Sequence, residues 1–232
     1  MKIFAFLKWL YATATIFTGM TFTILIFYFL PKPKAVKFTS WMIRTFLFLP
    51  VELEGSIDDD TQMILVNHES DIDIGIMETI TSKDLVWVAK KELFDIPFYG
   101  LLLKLPNDIA VERESKTSLL KLIKDCKDRL KDNRVITIFP EGTRSSKKRM
   151  LPFKNGAKIV ADKFSLKVQP VVLINTSSYY NIKKFHYSPG TIKAICLDSF
   201  YADKSDKEWL NNSRVEMQKV YDIELSNINS YR

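Results

Sequence analysis

The sequence predicts an α/β fold: a mixed, mostly parallel sheet flanked by helices, with an N-terminal membrane-anchoring helical segment before it. Two observations support this prediction. From about residue 61 onwards, short apolar runs rich in β-branched residues alternate with longer runs of helical periodicity, the pattern of an α/β layer. Before that point, residues 9–30 contain no charged side chain. The 232 residues suffice for one domain with a short appendage.

The first element is the uncharged run from Trp9 to Leu30, which is long enough to span a hydrocarbon core as a helix. A cleaved signal peptide is the alternative, but the run is too long and no small-residue cleavage site ends it. The second element is an amphipathic helix that stops at Pro50. It lies either in the membrane interface or on the protein core. Its apolar face carries Phe38, Trp41, Met42, Phe46 and Leu49.

Residues 1–50 are therefore predicted to form a membrane-anchoring helical hairpin, and residues 51–232 a separate α/β domain. More basic residues follow the uncharged run than precede it, and this excess places the main domain in the cytoplasm, on the inner membrane. Basic residues on both sides also fit a re-entrant hairpin held in one leaflet. The residues that precede and follow the run are Lys2 and Lys8, then Lys32, Lys34, Lys37 and Arg44.

The net charge of +7 suits nucleic acid, anionic lipid or a polyanionic substrate as a partner. The uncharged run favours lipid, and the sequence has no recognisable nucleic-acid-binding motif, so no nucleic-acid partner is expected. The two cysteines, Cys126 and Cys196, match no zinc or redox spacing and predict reduced thiols in a cytoplasmic core.

The α/β domain has six predicted strands and four predicted helices. The strands are Met63–Val66, Leu85–Ala89, Asp108–Val111, Val135–Phe139, Val168–Ile174 and Thr191–Leu197. The helices are Ile74–Thr81, Lys116–Leu130, Gly156–Phe164 and Lys207–Leu225. Polar clusters follow three of the strands. Because loops at the ends of such strands form the binding sites of α/β folds, we expect these clusters to share one cleft.

The first cluster, Asn67–Asp73, contains His68, one of two histidines in the chain. Asp73 falls in the first turn of the predicted helix and can reach back to one imidazole nitrogen, which fixes the tautomer and stabilises the protonated ring. The other nitrogen is then free to deprotonate an alcohol. Without a Gly-x-Ser-x-Gly nucleophile elbow, direct attack by a substrate hydroxyl is favoured. A helix-capping or loop histidine is the alternative, and no metal site is expected.

The second cluster centres on Arg113, and the third is Pro140–Ser145. Gly142 allows a tight turn near a ligand, and the guanidinium of Arg144 is a rigid fork for a phosphate. Glu141 is expected either to hold Arg144 or to accept a hydrogen bond from a substrate hydroxyl. Arg113 is a candidate second phosphate fork. The other histidine lies in the stretch 179–187, an exposed basic and aromatic loop that either touches the membrane or is ordinary protein surface.

Together these residues resemble the glycerolipid acyltransferase family of bacterial 1-acylglycerol-3-phosphate acyltransferase type. Its Asn-His-x4-Asp motif matches Asn67, His68 and Asp73, and its Phe-Pro-Glu-Gly-Thr-Arg-Ser motif matches residues 139–145 without a gap. A looser match, Ile109–Arg113, resembles the family's intervening motif. The resemblance covers about residues 60–200.

The resemblance implies transfer of a fatty acyl chain from an acyl thioester, acyl-CoA or acyl carrier protein, to lysophosphatidic acid, with no cofactor and no metal. It also implies membrane lipid as a partner, His68 as general base and Asp73 as its orienting carboxylate. The acceptor head is then expected to contact Arg113, Glu141, Gly142, Thr143 and Arg144. Two alternatives remain open: acylation of glycerol 3-phosphate or another lysophospholipid, and a non-catalytic membrane adaptor of the same fold.

Overall fold

The computed structural model describes residues 2–112, 116–145 and 148–230. Its strands are β1 Val51–Glu54, β2 Met63–Val66, β3 Leu85–Lys90, β4 Ile109–Val111, β5 Val135–Ile138, β6 Lys167–Leu173, β7 Tyr180–Asn181, β8 His186–Tyr187, β9 Ile192–Cys196 and β10 Phe200–Tyr201. Its helices are α1 Lys2–Ile26, α2 Lys32–Phe46, α3 Asp73–Ile80, α4 Lys91–Phe94, α5 Tyr99–Lys104, α6 Lys116–Lys131, α7 Gly156–Phe164 and α8 Trp209–Ser230, with a short 3-10 helix at Thr176–Ser178.

The main sheet has the strand order β1-β9-β6-β2-β5-β3-β4, and β10 pairs with the start of β6. The five strands from β6 to β4 run parallel to one another. β9 runs antiparallel to β6, and β1 runs parallel to β9. The mixed, mostly parallel α/β fold is therefore confirmed. Because β2, β5 and β6 are parallel neighbours, the loops that follow them meet at one edge of the sheet.

Helices cover both faces of the sheet, and the side chains of β2 alternate between them. Ile64 and Val66 lie in a core that residues of α1 and α3 complete, whereas Met63 and Leu65 lie in a core completed by α6, α7 and α8. Four consecutive buried residues in β2 fit a central strand covered on both sides. All six predicted strands and all four predicted helices of this domain are present, with ends shifted by a few residues.

Several short elements were not predicted. These are β1, β10, the β7–β8 ribbon, α4 and α5. α4 and α5 have four and six residues and flank Pro97, too little chain for a helical period to be read. β7, β8 and β10 have two residues each, too few for an alternating pattern to show. β7 and β8 pair with each other across a short turn, and β10 pairs with the distant strand β6.

α1 and α2 form an antiparallel hairpin in close contact. A Cβ atom on Gly19 would lie 2.3 Å from Ile43, and the hydroxyl of Thr23 donates to that of Thr39 at 2.8 Å. α1 starts at Lys2 and not at Trp9, and it is long and apolar enough to cross a membrane by length and composition. Ala12 of α1 and Leu47 after α2 are fully buried in the same core as Ile64, so part of the hairpin is packed on the α/β domain.

Candidate active site

The loop that follows β2 brings His68 and Asp73 into contact. The imidazole Nδ1 lies 2.8 Å from Asp73 Oδ2, with Asp73 at the first position of α3 as its motif spacing predicts. Because the carboxylate accepts at Nδ1, the ring carries its proton there, and Nε2 has the free lone pair of a base. No described residue hydrogen-bonds Nε2, and the His68 side chain is 17% exposed. The arrangement leaves the basic nitrogen accessible to a substrate hydroxyl.

Asp73 also organises the loop on which His68 lies. Its Oδ2 accepts the backbone N–H groups of Glu69 and Ser70, at 2.8 and 2.9 Å. Oδ1 is buried and has no hydrogen-bond partner among the described residues. Three donors on a single oxygen hold the negative charge beside the imidazole, where it stabilises the imidazolium formed on proton uptake.

A stack of three rings orients the imidazole from one face. His68 stacks on Phe139, with ring centroids 3.9 Å apart and planes inclined by 14°, and Phe139 in turn stacks on Trp87 at 5.0 Å. The Trp87 indole N–H donates to the buried Glu78 carboxyl at 2.8 Å. This stack was not predicted from the sequence. The one sequence feature that pointed to it was the aromatic residue Phe139, which follows β5 directly and belongs to the predicted strand Val135–Phe139.

Glu141 lies beneath the site and is 2% exposed. Its Oε1 accepts the backbone N–H of His68 at 2.9 Å and its Oε2 that of Leu151 at 2.7 Å. Of the two roles expected for Glu141, the first, holding Arg144, was wrong: both Glu141 oxygens accept backbone N–H groups from other loops, and Arg144 pairs with Asp71. Burial raises the pKa of the Glu141 carboxyl, against the lowering effect of these two hydrogen bonds. Glu141 therefore joins the His68 loop to the loop at residue 151.

The turn after β5 places the remaining predicted residues at the rim. Gly142 has a φ of +68°, a left-handed conformation that favours glycine. Thr143 and Arg144 are exposed beside it. The Ser145 backbone N–H donates to the carbonyl of His68 at 2.7 Å, which ties this turn to the catalytic loop. Ser145 was not among the predicted site residues.

Arg144 forms an ion pair with Asp71, and both side chains are about one-third exposed. The pair lies at the rim of the loop that carries His68 and Asp73, so the structure brings the first and third polar clusters together. Arg113, the main candidate of the second cluster, lies outside the described residues. Asp71 was not predicted to be a partner of Arg144, because the pair spans two loops that are distant in sequence.

A largely apolar cavity lies between the N-terminal helices and the α/β domain, with Asp71 among its lining residues. It encloses about 1180 Å³ of empty space, including its open mouth. α1, α2, α3 and α5 supply most of its walls, and Trp87 of the ring stack also lines it. Among its apolar residues are Ile16, Met20, Ile43, Ile76 and Leu103. This cavity could not be predicted from the sequence, since its walls come from segments far apart in the chain.

Glu69, next to His68, has a buried carboxyl that the sequence analysis did not single out. Its Oε2 accepts the Ser177 hydroxyl at 3.2 Å, and the Tyr221 hydroxyl of α8 lies beside it. Burial is the main cause that raises the pKa of Glu69 to about 7, and the nearby charge of Asp73 acts in the same direction. Below about pH 7 the folded protein therefore favours the neutral carboxylic acid.

We expect Glu69→Gln to remove a pH dependence of stability. Between about pH 4.5 and 7 the folded protein keeps the Glu69 proton that the unfolded chain has lost, so stability falls as pH rises through this window. Glutamine does not titrate, so the stability of the variant relative to the wild type should rise by roughly 2.5 kcal/mol from pH 5 to pH 8. Urea unfolding of both proteins in detergent at the two pH values measures this gain. Glu216→Gln, at an exposed position of α8, is the control. Parallel pH profiles of stability for Glu69→Gln and wild type would contradict this role of Glu69.

Known proteins resemble this chain in sequence and in fold. It is 38% identical to the 1-acyl-sn-glycerol-3-phosphate acyltransferase of Helicobacter pylori over 93% of this chain and 92% of that relative. It is 30% identical to the human 1-acyl-sn-glycerol-3-phosphate acyltransferase beta, covering 68% of this chain and 60% of the relative. The crystal structure of the 1-acyl-sn-glycerophosphate (LPA) acyltransferase of Thermotoga maritima superposes with a TM-score of 0.77. That match covers 98% of this chain and 97% of the other at 22% identity, and it supports the fold.

The family model described as Acyltransferase matches residues 49–174. The matched segment includes β2, α3 and β5, with both loops that build the site. The match spans more than half of the sequence, and the Helicobacter pylori relative is similar over nearly the whole chain. The chain therefore belongs to the acyltransferase family.

Proposed function

We propose that this enzyme transfers a fatty acyl chain from an acyl thioester to the free hydroxyl of 1-acyl-sn-glycerol 3-phosphate and so forms phosphatidic acid in phospholipid biosynthesis. The observation that carries the proposal is the His68–Asp73 pair, with Nε2 unbonded by any described residue, on the same rim as the Arg144 guanidinium. The names of the relatives support the same acceptor. This geometry fits a general base next to a phosphate-binding group.

The reaction follows from the geometry at Nε2. His68 takes the proton of the acceptor hydroxyl while that oxygen attacks the thioester carbonyl carbon. Asp73 stabilises the imidazolium that results. When the tetrahedral intermediate collapses, the carbon–sulfur bond breaks and the imidazolium returns the proton to the leaving thiolate. An ester and a free thiol are formed, and His68 is neutral again. No step needs a cofactor or a metal.

Arg144 is our candidate for binding the acceptor phosphate, with Thr143 and the backbone at Gly142 beside it. Arg113 remains a candidate from its motif. Glu141 acts indirectly, because its two carboxylate oxygens accept hydrogen bonds from the backbone N–H groups of His68 and Leu151. The cavity is largely apolar and has Asp71, three residues after His68, in its lining, which suits an acyl chain of the lipid substrate.

The N-terminal helices support attachment to a membrane, and we propose the cytoplasmic face of the inner membrane. α1 is apolar along most of its surface, with Phe4, Phe17 and Leu25 well exposed. The basic residues of α2, Lys32, Lys34, Lys37 and Arg44, favour a cytoplasmic α/β domain. Acyl-CoA and acyl carrier protein are both candidate donors from that compartment.

A single assay tests donor and acceptor together. Purified enzyme is given coenzyme A or carrier-protein thioesters, crossed with 1-acyl-sn-glycerol 3-phosphate or glycerol 3-phosphate. We expect phosphatidic acid as the product, with little acylation of glycerol 3-phosphate. Faster turnover of glycerol 3-phosphate would replace the proposed acceptor, and no turnover of any pair would overturn the proposed function.

We expect Arg144→Ala to raise the KM for the acceptor by roughly tenfold to a hundredfold, the range of one hydrogen bond to a charged group. The KM for the thioester should change much less, because the guanidinium contacts only the acceptor head. Arg149→Ala is the matched control, since Arg149 is an exposed arginine that lies shortly after the 139–145 motif. Steady-state kinetics with each substrate varied in turn measures both constants. Equal weakening of donor and acceptor would contradict this role of Arg144.

A further inference from the structure

The β7–β8 ribbon stands outside the main sheet and projects a four-residue tip. Asn181 pairs with His186, so Ile182–Phe185 forms the turn between the two strands. The side chains of Ile182 and Phe185 are 41% and 57% exposed, and Lys183 and Lys184 between them are exposed as well. Two apolar and two cationic side chains share one tip. None of these four residues belongs to the catalytic site.

The tip continues the apolar surface of α1. The Phe185 ring meets Trp9 edge-on with centroids 4.7 Å apart and lies 6.4 Å from Phe6, which is itself 47% exposed. Phe185 has a φ of +50°, an uncommon conformation for a bulky residue. The backbone thus adopts a costly angle that holds the ring against α1. Even in this position the Phe185 ring remains largely exposed to solvent.

The two ammonium groups at the tip, those of Lys183 and Lys184, are exposed to solvent. Within the described part of the chain, neither Lys183 nor Lys184 forms an ion pair. Lysines next to exposed aromatic and aliphatic residues are the chemistry of a membrane interface, where the rings enter the headgroup layer and the ammonium groups meet lipid phosphates. The apolar face of α1 beside the tip already has the length and composition of a membrane segment.

We propose that Ile182–Phe185 is a second membrane-contacting element, which docks on anionic phospholipid next to α1. The base of the ribbon links this contact to the catalytic loop. The Ser70 hydroxyl donates to the carbonyl of Tyr180 at 2.6 Å, and the Tyr180 hydroxyl lies 3.1 Å from that of Thr13 in α1. Docking of the tip therefore sets the height of the Asn67–Asp73 loop above the lipid surface. The contact does not depend on the chemistry at His68.

The test places a polarity-sensitive dye at the tip of the full chain. Ile182→Cys is labelled in a Cys126→Ala, Cys196→Ser background and reconstituted into phosphatidylglycerol–phosphatidylcholine vesicles. We expect the dye to emit at shorter wavelength and to be shielded from acrylamide, a neutral aqueous quencher. A dye at Lys127→Cys, on an exposed position of α6, is the control and should be fully quenched. Equal quenching at the two positions overturns the proposal.

Charge variants test the headgroup contact separately. A lysine near an anionic surface changes a binding equilibrium about fivefold, so Lys183→Gln with Lys184→Gln should lower the docking equilibrium about thirtyfold and restore quenching of the dye. Lys124→Gln with Lys127→Gln should have no effect on the same dye. The tip variant should keep its activity on detergent-dispersed acceptor. Loss of that activity would mean that the lysines serve the fold of the protein, and it would overturn the proposal.

Discussion

His68→Ala is expected to lower kcat by about 10²–10⁴, the usual contribution of a positioned general base. The variant removes an imidazole whose Nδ1 is held by the buried Asp73 carboxylate and whose Nε2 is left accessible as the base. The KM for the acceptor should change little, because Arg144 and its turn do not rest on the imidazole. The rate must be measured where chemistry is limiting, by single-turnover acylation with acceptor in excess.

His186→Ala is the matched control, since His186 is the other histidine of the chain and its Nε2 lies 2.8 Å from the Ser178 carbonyl. This variant should keep wild-type kcat. Added imidazole should restore part of the activity of His68→Ala, because the missing side chain leaves space on the Phe139 ring. A His68→Ala enzyme with more than about a tenth of the wild-type rate would rule out the general-base mechanism.

Asp73 offers a way to separate charge from geometry. Asp73→Ala removes all three hydrogen bonds at Oδ2 and should lower kcat nearly as far as His68→Ala does. Asp73→Asn should have a milder effect, with a kcat at least roughly tenfold higher than that of Asp73→Ala. The N–H groups of Glu69 and Ser70 require an acceptor at the Oδ2 position, so they hold the amide oxygen there and direct the NH₂ group towards the unpartnered Oδ1 position. The imidazole then keeps its tautomer and loses only the negative charge beside it.

The same single-turnover assay measures both Asp73 variants, and thermal unfolding shows whether the loop keeps its fold. An asparagine variant as inactive as the alanine variant would mean that the negative charge alone accounts for the effect of Asp73. In an Asp-His pair where the amide can rotate its NH₂ towards the ring, the wrong tautomer costs about 10⁴ in rate. The two backbone donors at Asp73 prevent that rotation.

The sequence predicted the elements of this site better than the contacts between them. The His68–Asp73 contact could be predicted because the two residues are close in sequence. A residue in the first turn of α3 lies near the loop that precedes the helix. The shared edge of the polar clusters followed from the parallel arrangement of β2 and β5. Both inferences need only secondary structure and strand direction, which period and composition encode directly.

Contacts between distant segments were the part that could not be predicted. The partners of Glu141 are backbone groups on two other loops, 73 and 10 residues away. Nothing in the type of a residue shows which backbone N–H will face it. The stack of His68 on Phe139 and the cavity beside α2 depend in the same way on how helices and strands pack. Arg144 was interpreted as a phosphate fork with Glu141 as its possible partner, and Asp71 was missed because it belongs to another loop.

The ion pair between Arg144 and Asp71 means that the Asp71 carboxylate competes with any ligand for the guanidinium. A ligand that binds the guanidinium must exchange with a carboxylate that is already there, so its affinity reflects the difference between two anions. A phosphate monoester carries more negative charge and more acceptor oxygens than a carboxylate, whereas a phosphodiester has little advantage over it. Selectivity for a terminal phosphate can thus arise because the ligand must displace the Asp71 carboxylate from Arg144. It needs no contact that recognises the rest of the acceptor.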